Sequence, residues 1–136
     1  MSRREFDVPE DDLDFLENRL GLDWEAVLVE KPEKVRRIVV QRHPVPDGYN
    51  VTEVDLNLRI EAGYPDAQID MVYFFPALSL KSGRQIRQLA DDAFDGKTWQ
   101  RWSRHRTDQN PWVSGLDNIE RHLLLVREWL ERELKQ

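Results

Sequence analysis

Thr52-Glu53-Val54-Asp55-Leu56-Asn57-Leu58-Arg59-Ile60 is the stretch that decides the fold class. Side chains alternate along an extended chain, so Val54, Leu56, Leu58 and Ile60 share one face and Glu53, Asp55, Asn57 and Arg59 the other. One packed and one wet face is the pattern of an antiparallel sheet, not of a parallel sheet buried on both sides. Working outward, Trp24 to Glu30 and Val35 to Gln41 also have strand composition, joined by Lys31-Pro32-Glu33-Lys34. His43-Pro44-Val45-Pro46-Asp47-Gly48 is a loop by its Pro and Gly content. Downstream, Glu61 to Asp66 breaks the chain before Ile69 to Phe75, which Pro76 stops. The short connections predict a four-stranded antiparallel meander.

Helical patterns flank the meander. Pro9 suits a first turn, Leu13, Leu16 and Leu20 fall on one stripe, and Gly21 suits a C-terminal cap. Asp7, Glu10, Asp11, Asp12 and Asp14 crowd the N-terminal end, where the helix dipole favours negative charge. They read as a solvated acidic face or, at Asp11, Asp12 and Asp14, as a docking surface for a basic partner. At the far end Ser114 is the expected helix cap, with Asp117 three residues on, ahead of the stripe Leu116, Ile119, Leu123, Val126 and Leu130. One stripe against one sheet face predicts a two-layer α+β domain over residues 1–136, with 1–7 a flexible tail.

Composition narrows the function. With 136 residues, 40% hydrophobic and 34% charged, the chain reads as one soluble globular domain. No apolar run is long enough to cross a bilayer, and no apolar stretch follows Arg3-Arg4, so a cytoplasmic protein is expected. Zero Cys excludes disulfides, thiolate metal sites and a cysteine nucleophile. A net charge of −6 argues against general nucleic-acid binding. His43, His105 and His122 lack metal-ligand spacing, so neither metal nor cofactor is expected.

Between the last predicted strand and the last helix lies Ala77 to Val113, where only Leu80, Ile86 and Leu89 suggest a short helical turn. A loop this long in a compact domain is functional or disordered, and its Trp content argues for order. It holds Trp99-Gln100-Arg101-Trp102-Ser103-Arg104-His105-Arg106 and then Pro111-Trp112, three of the chain's five Trp. From Lys97 to Asp108, four basic side chains face one acid, an inversion of the overall charge.

These stretches carry a resemblance. The order helix, meander, long ordered loop, helix resembles the ubiquitin-conjugating-enzyme (UBC) fold, as do Gly63-Tyr64-Pro65 before the fourth strand and Pro111-Trp112-Val113-Ser114 before the last helix. Gly63-Tyr64-Pro65-Asp66, Trp99 to His105 and Trp112 to Asp117 are similar to the prokaryotic branch called family E, over about Val8 to Leu130. The resemblance implies a bacterial operon with a ubiquitin-like modifier, an adenylating activating enzyme and a JAB-type metallopeptidase. Conjugating enzymes carry the modifier on a Cys preceded by His-Pro-Asn, and this chain has neither. By the family's spacing, counting back from Trp112 lands on Ser103 or Arg104, and Ser103 is the better nucleophile.

A Ser hydroxyl needs an adjacent base, and His105 stands two residues on. Arg101, Arg104 and Arg106 are suited to orienting a glycine carboxy-terminus or opposing an oxyanion. Trp99, Trp102, Trp112, Tyr64 and Pro65 are expected to support the loop. The reading is therefore a transferase forming an oxyester on Ser103. The rival reading is a non-catalytic UBC- or RWD-like module that binds the modifier or the activating enzyme, and the missing Cys favours it. A single-stranded nucleic-acid surface built from the interleaved Arg and Trp ranks third, against the acidic total.

Overall fold

The computed structural model describes residues 2–136. Helix α1 covers Glu10–Asn18, followed by strands β1 (Trp24–Val29), β2 (Val35–Pro44), β3 (Glu53–Ile60) and β4 (Val72–Phe75). A hairpin of β5 (Leu89–Phe94) and β6 (Lys97–Trp102) comes next, and α2 (Ile119–Leu134) closes the order. The α+β class and the helix–meander–helix order of a UBC-like fold are as expected. The sheet, however, has six strands rather than four, antiparallel throughout, in the order β1-β2-β3-β4-β6-β5. The segment read as one long loop therefore contributes two strands. Their turn is Asp95-Gly96, both with positive φ (53° and 75°), the backbone that a two-residue hairpin turn demands.

Both helices cover one face of the sheet. Val54, Leu56, Leu58 and Ile60 of β3 pack there with Ile38, Val40, Phe74 and Trp102, under Leu16 of α1 and Ile119, Leu123, Val126 and Leu130 of α2. Two stripe positions depart from expectation: Leu13 and Leu116 are 41% and 53% exposed. Asp12, one turn before Leu16 on the same face of α1, is buried in place of Leu13. The last helix starts at Ile119 rather than near Ser114. Asn118 caps it, its side chain accepting from the Arg121 N–H, and Leu116 lies ahead of the helix.

The opposite face of the sheet is not simply wet. Asn57 is fully buried, and its Oδ1 accepts from Arg37 Nη1 at 3.1 Å. Arg37 also pairs with Asp92 at 3.0 Å, and its guanidinium lies 4.3 Å from the Tyr73 ring and 4.6 Å from Phe94. β2 and β5 stand four strand steps apart, about 19 Å in a flat sheet. A direct ion pair across that distance requires the sheet to curl, and the curl brings Val27, Val39, Tyr73, Phe94 and Trp99 into a second core on this face.

The N-terminus fastens the curl. Residues 1–7 were expected to form a flexible tail; Met1 lies outside the described residues, but Arg3 to Glu5 run along β1 with hydrogen bonds to Ala26. Arg3 Nε bonds Glu25 of β1 at 2.9 Å and Arg3 Nη2 bonds Asp95 of the hairpin turn at 2.6 Å. Hydrogen bonds from Arg3 hold both carboxyls below the usual carboxylate range. A carboxyl with a depressed folded pKa stabilises the fold above its ordinary pKa near 4 and loses that contribution as pH falls. Arg3→Ala is therefore expected to cost about 1 kcal/mol at pH 7, as for a partly exposed network. Urea titrations at pH 7 and pH 3 check this, with the difference between wild type and variant shrinking at the lower pH.

Candidate functional site

Three segments meet beyond the end of β6: residues 61–71, residues 103–106, and residues 107–118. Ser103 is held where the hairpin ends by its N–H, which donates to the Gln88 carbonyl at 3.0 Å. His105 stands two residues further on. Its Nδ1 is 3.0 Å from both carboxylate oxygens of Asp70, and its side chain is 60% exposed. A carboxylate can only accept, so Nδ1 carries the proton and Nε2 is left as the basic nitrogen. Among the described residues no hydrogen bond joins Ser103 to His105. The structure brings His105 to Asp70, a residue that the sequence reading missed, rather than to Ser103.

The arginines divide. Arg104 turns toward α2, with Nη2 3.0 Å from Glu133, Nη1 on the Arg87 carbonyl at 3.1 Å, and its guanidinium 4.9 Å from the Trp102 ring. Arg101 lies in the β6 ladder opposite Tyr73 and Ala90, half-buried, its Nε without a partner among the described residues. Arg106 is nearly buried, 3.6 Å from Asp117 and 4.9 Å from the Trp112 ring, so it props the loop. Burial pushes Asp117 up, but the Val113 N–H together with Arg121 and Arg106 outweighs it and holds the carboxyl below its usual range.

The tryptophans are not one frame around Ser103. Trp99 and Trp102 are three residues apart on one strand, so they enter opposite cores. Trp99 Nε1 donates to the Phe94 carbonyl at 3.1 Å and Trp102 Nε1 to Gln100 Oε1 at 2.9 Å. Trp112 alone packs in the loop region. Its Nε1 donates to the Pro65 carbonyl at 2.8 Å and its ring lies 6.1 Å from Tyr64, while the Ser114 hydroxyl donates to Asp66. Gly63-Tyr64-Pro65-Asp66 and Pro111-Trp112-Val113-Ser114 thus dock on each other.

That docking reaches α1. The Tyr64 hydroxyl donates to Asp12 Oδ2 at 2.6 Å, and Asp12 Oδ1 accepts the Ile119 N–H at 3.1 Å. Asp12 is 2% exposed, so it joins α1, the Tyr64 loop and the start of α2 and is unavailable as a docking charge. Burial raises its pKa against the pull of those two donors, and burial with Asp12 as neighbour raises Tyr64. Asp11 and Asp14 remain exposed on α1.

The two motif stretches and the Trp-rich strand are therefore one connected structure at one end of the sheet. A family model described as prokaryotic E2 family E matches residues 8–133. The chain belongs to prokaryotic E2 family E. No curated protein and no solved structure matches it. Membership in family E makes this a UBC-like protein of a ubiquitin-like pathway, working with ubiquitin-like proteins and activating enzymes in general. No helix among the described residues is long and apolar enough to cross a membrane. The chain has no Cys, and at this end of the sheet Ser103 stands two residues before the His105 held by Asp70.

Proposed function

We propose that this chain accepts a ubiquitin-like protein from an adenylating activating enzyme as an oxyester on Ser103, with His105 as base and Asp70 as its positioning residue. The observation that carries the reading is the Asp70–His105 contact, which leaves a free imidazole nitrogen two residues from the hydroxyl. Ser103 Oγ attacks the carboxy-terminal carbonyl of the modifier, His105 Nε2 takes the hydroxyl proton, and Arg104 opposes the developing oxyanion. The Ser103–His105 bond forms when the modifier docks; such bonds are commonly unmade in the free enzyme. The exposed carboxylates Asp11 and Asp14 supply a docking surface for the activating enzyme, in a cytoplasmic bacterial pathway that also holds a JAB-type metallopeptidase.

Incubation with activating enzyme, ATP and modifier is expected to give an adduct that survives thiol reductant, yields to hydroxide and is absent in Ser103→Ala. His105→Ala slows its formation roughly 10²–10⁴-fold, the usual reach of general-base catalysis. An undiminished adduct in Ser103→Ala overturns the assignment. Two observations favour a second reading, a non-catalytic binding module: the chain has no Cys, and among the described residues Ser103 and His105 share no hydrogen bond. On that reading no covalent species forms, and complex formation with the partner is unchanged in Ser103→Ala and His105→Ala.

A further inference from the structure

A recess of about 560 Å³ opens beside Ser103, between the connection leading into β5 and the C-terminal end of α2. Arg84, Arg87, Ser103, Arg104, Glu133 and Gln136 line it. Glu133 is 5% exposed and fixes two of the guanidinium groups, Arg84 at 2.8 Å and Arg104 at 3.0 Å. Arg87 has no carboxylate partner among the described residues and is exposed. Among the side chains that line the recess, three guanidinium groups thus face one carboxylate, in a chain whose net charge is −6. His105 does not line this recess.

Guanidinium groups are suited to phosphate by their planar forks of N–H donors, and two of these are held in place by a buried carboxylate. A thioester brings no anionic oxygen to such a site, whereas an acyl phosphate brings a phosphate directly bonded through oxygen to the carbonyl carbon. We propose that this recess binds the phosphate of the acyl donor, a mixed anhydride between the carboxy-terminus of the modifier and a nucleoside monophosphate. The inference rests on the reading of Ser103 as the acyl acceptor. In the step it implies, a C–O bond forms between Ser103 Oγ and the acyl carbon, and the bond from that carbon to the bridging phosphate oxygen breaks. The nucleoside monophosphate leaves with the bonding pair, and the hydroxyl proton passes to His105. No oxidant or metal enters the balance.

Titration of the full chain with AMP, inorganic phosphate and adenosine, followed by NMR and calorimetry, tests the site without any transfer. AMP and phosphate are expected to bind saturably and to shift the side-chain resonances of Arg84, Arg87 and Arg104, while adenosine does not. Arg87→Glu, on an exposed side chain, is expected to weaken AMP binding roughly 10–100-fold, the loss of one charge-assisted contact. AMP binding is read with no modifier or activating enzyme present, so loss of the oxyester in Ser103→Ala and loss of the phosphate site in Arg87→Glu are separate results. No saturable binding of AMP or phosphate, equal binding by Arg87→Glu, or equal binding of adenosine overturns the proposal even where the adduct on Ser103 forms.

Discussion

Trp102→Ala is expected to cost about 3–5 kcal/mol of folding stability, the range for truncating a large buried aromatic. The indole is fully buried, with its ring edge-on to Phe74 at 5.3 Å and tilted against Tyr49 at 6.3 Å. Alanine leaves a void on the helix-covered face where β4, β6 and the Tyr49 segment before β3 meet, and close-packed neighbours relax only partly into it. A polar loss accompanies the apolar one. Gln100 Oε1 takes the indole N–H and the Leu78 N–H, and its Nε2 donates to the Leu78 carbonyl, so Trp102 helps to hold the segment after β4. For a chain of this length the cost corresponds to a fall in Tm of roughly 10–20 °C. Calorimetry checks it, with Trp112→Ala as the comparison. Trp112 is only half-buried and is fixed by one hydrogen bond to Pro65, so its truncation is expected to cost less than half as much. Equal losses in the two variants would contradict the assignment of Trp102 to the main core.

The contrast between these two indoles shows where the amino-acid pattern is informative and where it is silent. Alternation in Thr52 to Ile60 marks β3 and its packed face, and the stripe from Ile119 to Leu130 marks α2, because each pattern is local and periodic. The β5–β6 hairpin lacks alternation: Leu89-Ala-Asp-Asp-Ala-Phe94 carries two acids, and the purpose of one of them, Asp92, appears only across the sheet, where it meets Arg37. Its one local signal is Asp95-Gly96, a strong hairpin dipeptide that a reading for apolar period passes over. Asn57 and Asp12 look solvated for the same reason. Their partners, Arg37 and Tyr64, are 20 and 52 residues away, and charge alone does not reveal burial. At the candidate site Ser103 and His105 are legible from residue type and spacing. Asp70 is not, since it precedes β4 and reaches His105 only through the fold.

Acidification from pH 7 to pH 4 is expected to remove about 3 kcal/mol of stability through His122 alone. His122 is fully buried in α2, edge-on to Trp129 at 5.5 Å, and burial drives its pKa from 6.5 down to about 4. Arg106 adds to the depression, while the Met71 carbonyl, Asp70 and Asp117 pull the other way without reversing it. The hydrogen bonding explains why protonation is resisted. Nε2 lies 2.9 Å from the Met71 carbonyl, which can only accept, so Nε2 carries the proton and Nδ1 is bare. Nδ1 has no partner among the described residues, and a second proton there would be a buried donor facing no acceptor. Above pH 6.5 the imidazole is neutral in both folded and unfolded chains, and its contribution is complete. Below that pH the unfolded chain takes up a proton that the folded chain refuses, so stability falls by up to about 1.4 kcal/mol per pH unit until pH 4 is reached. Urea midpoints at pH 7, 6, 5.5 and 5 measure this slope above the range in which Glu25 and Asp95 titrate. His122→Gln retains a donor for the Met71 carbonyl and cannot ionise, so it is expected to lose some stability at pH 7 yet to show a much flatter profile between pH 6.5 and 5. His43, which burial also depresses, leaves a residual slope in the variant. An unaltered slope in His122→Gln would place the acid sensitivity elsewhere in the fold.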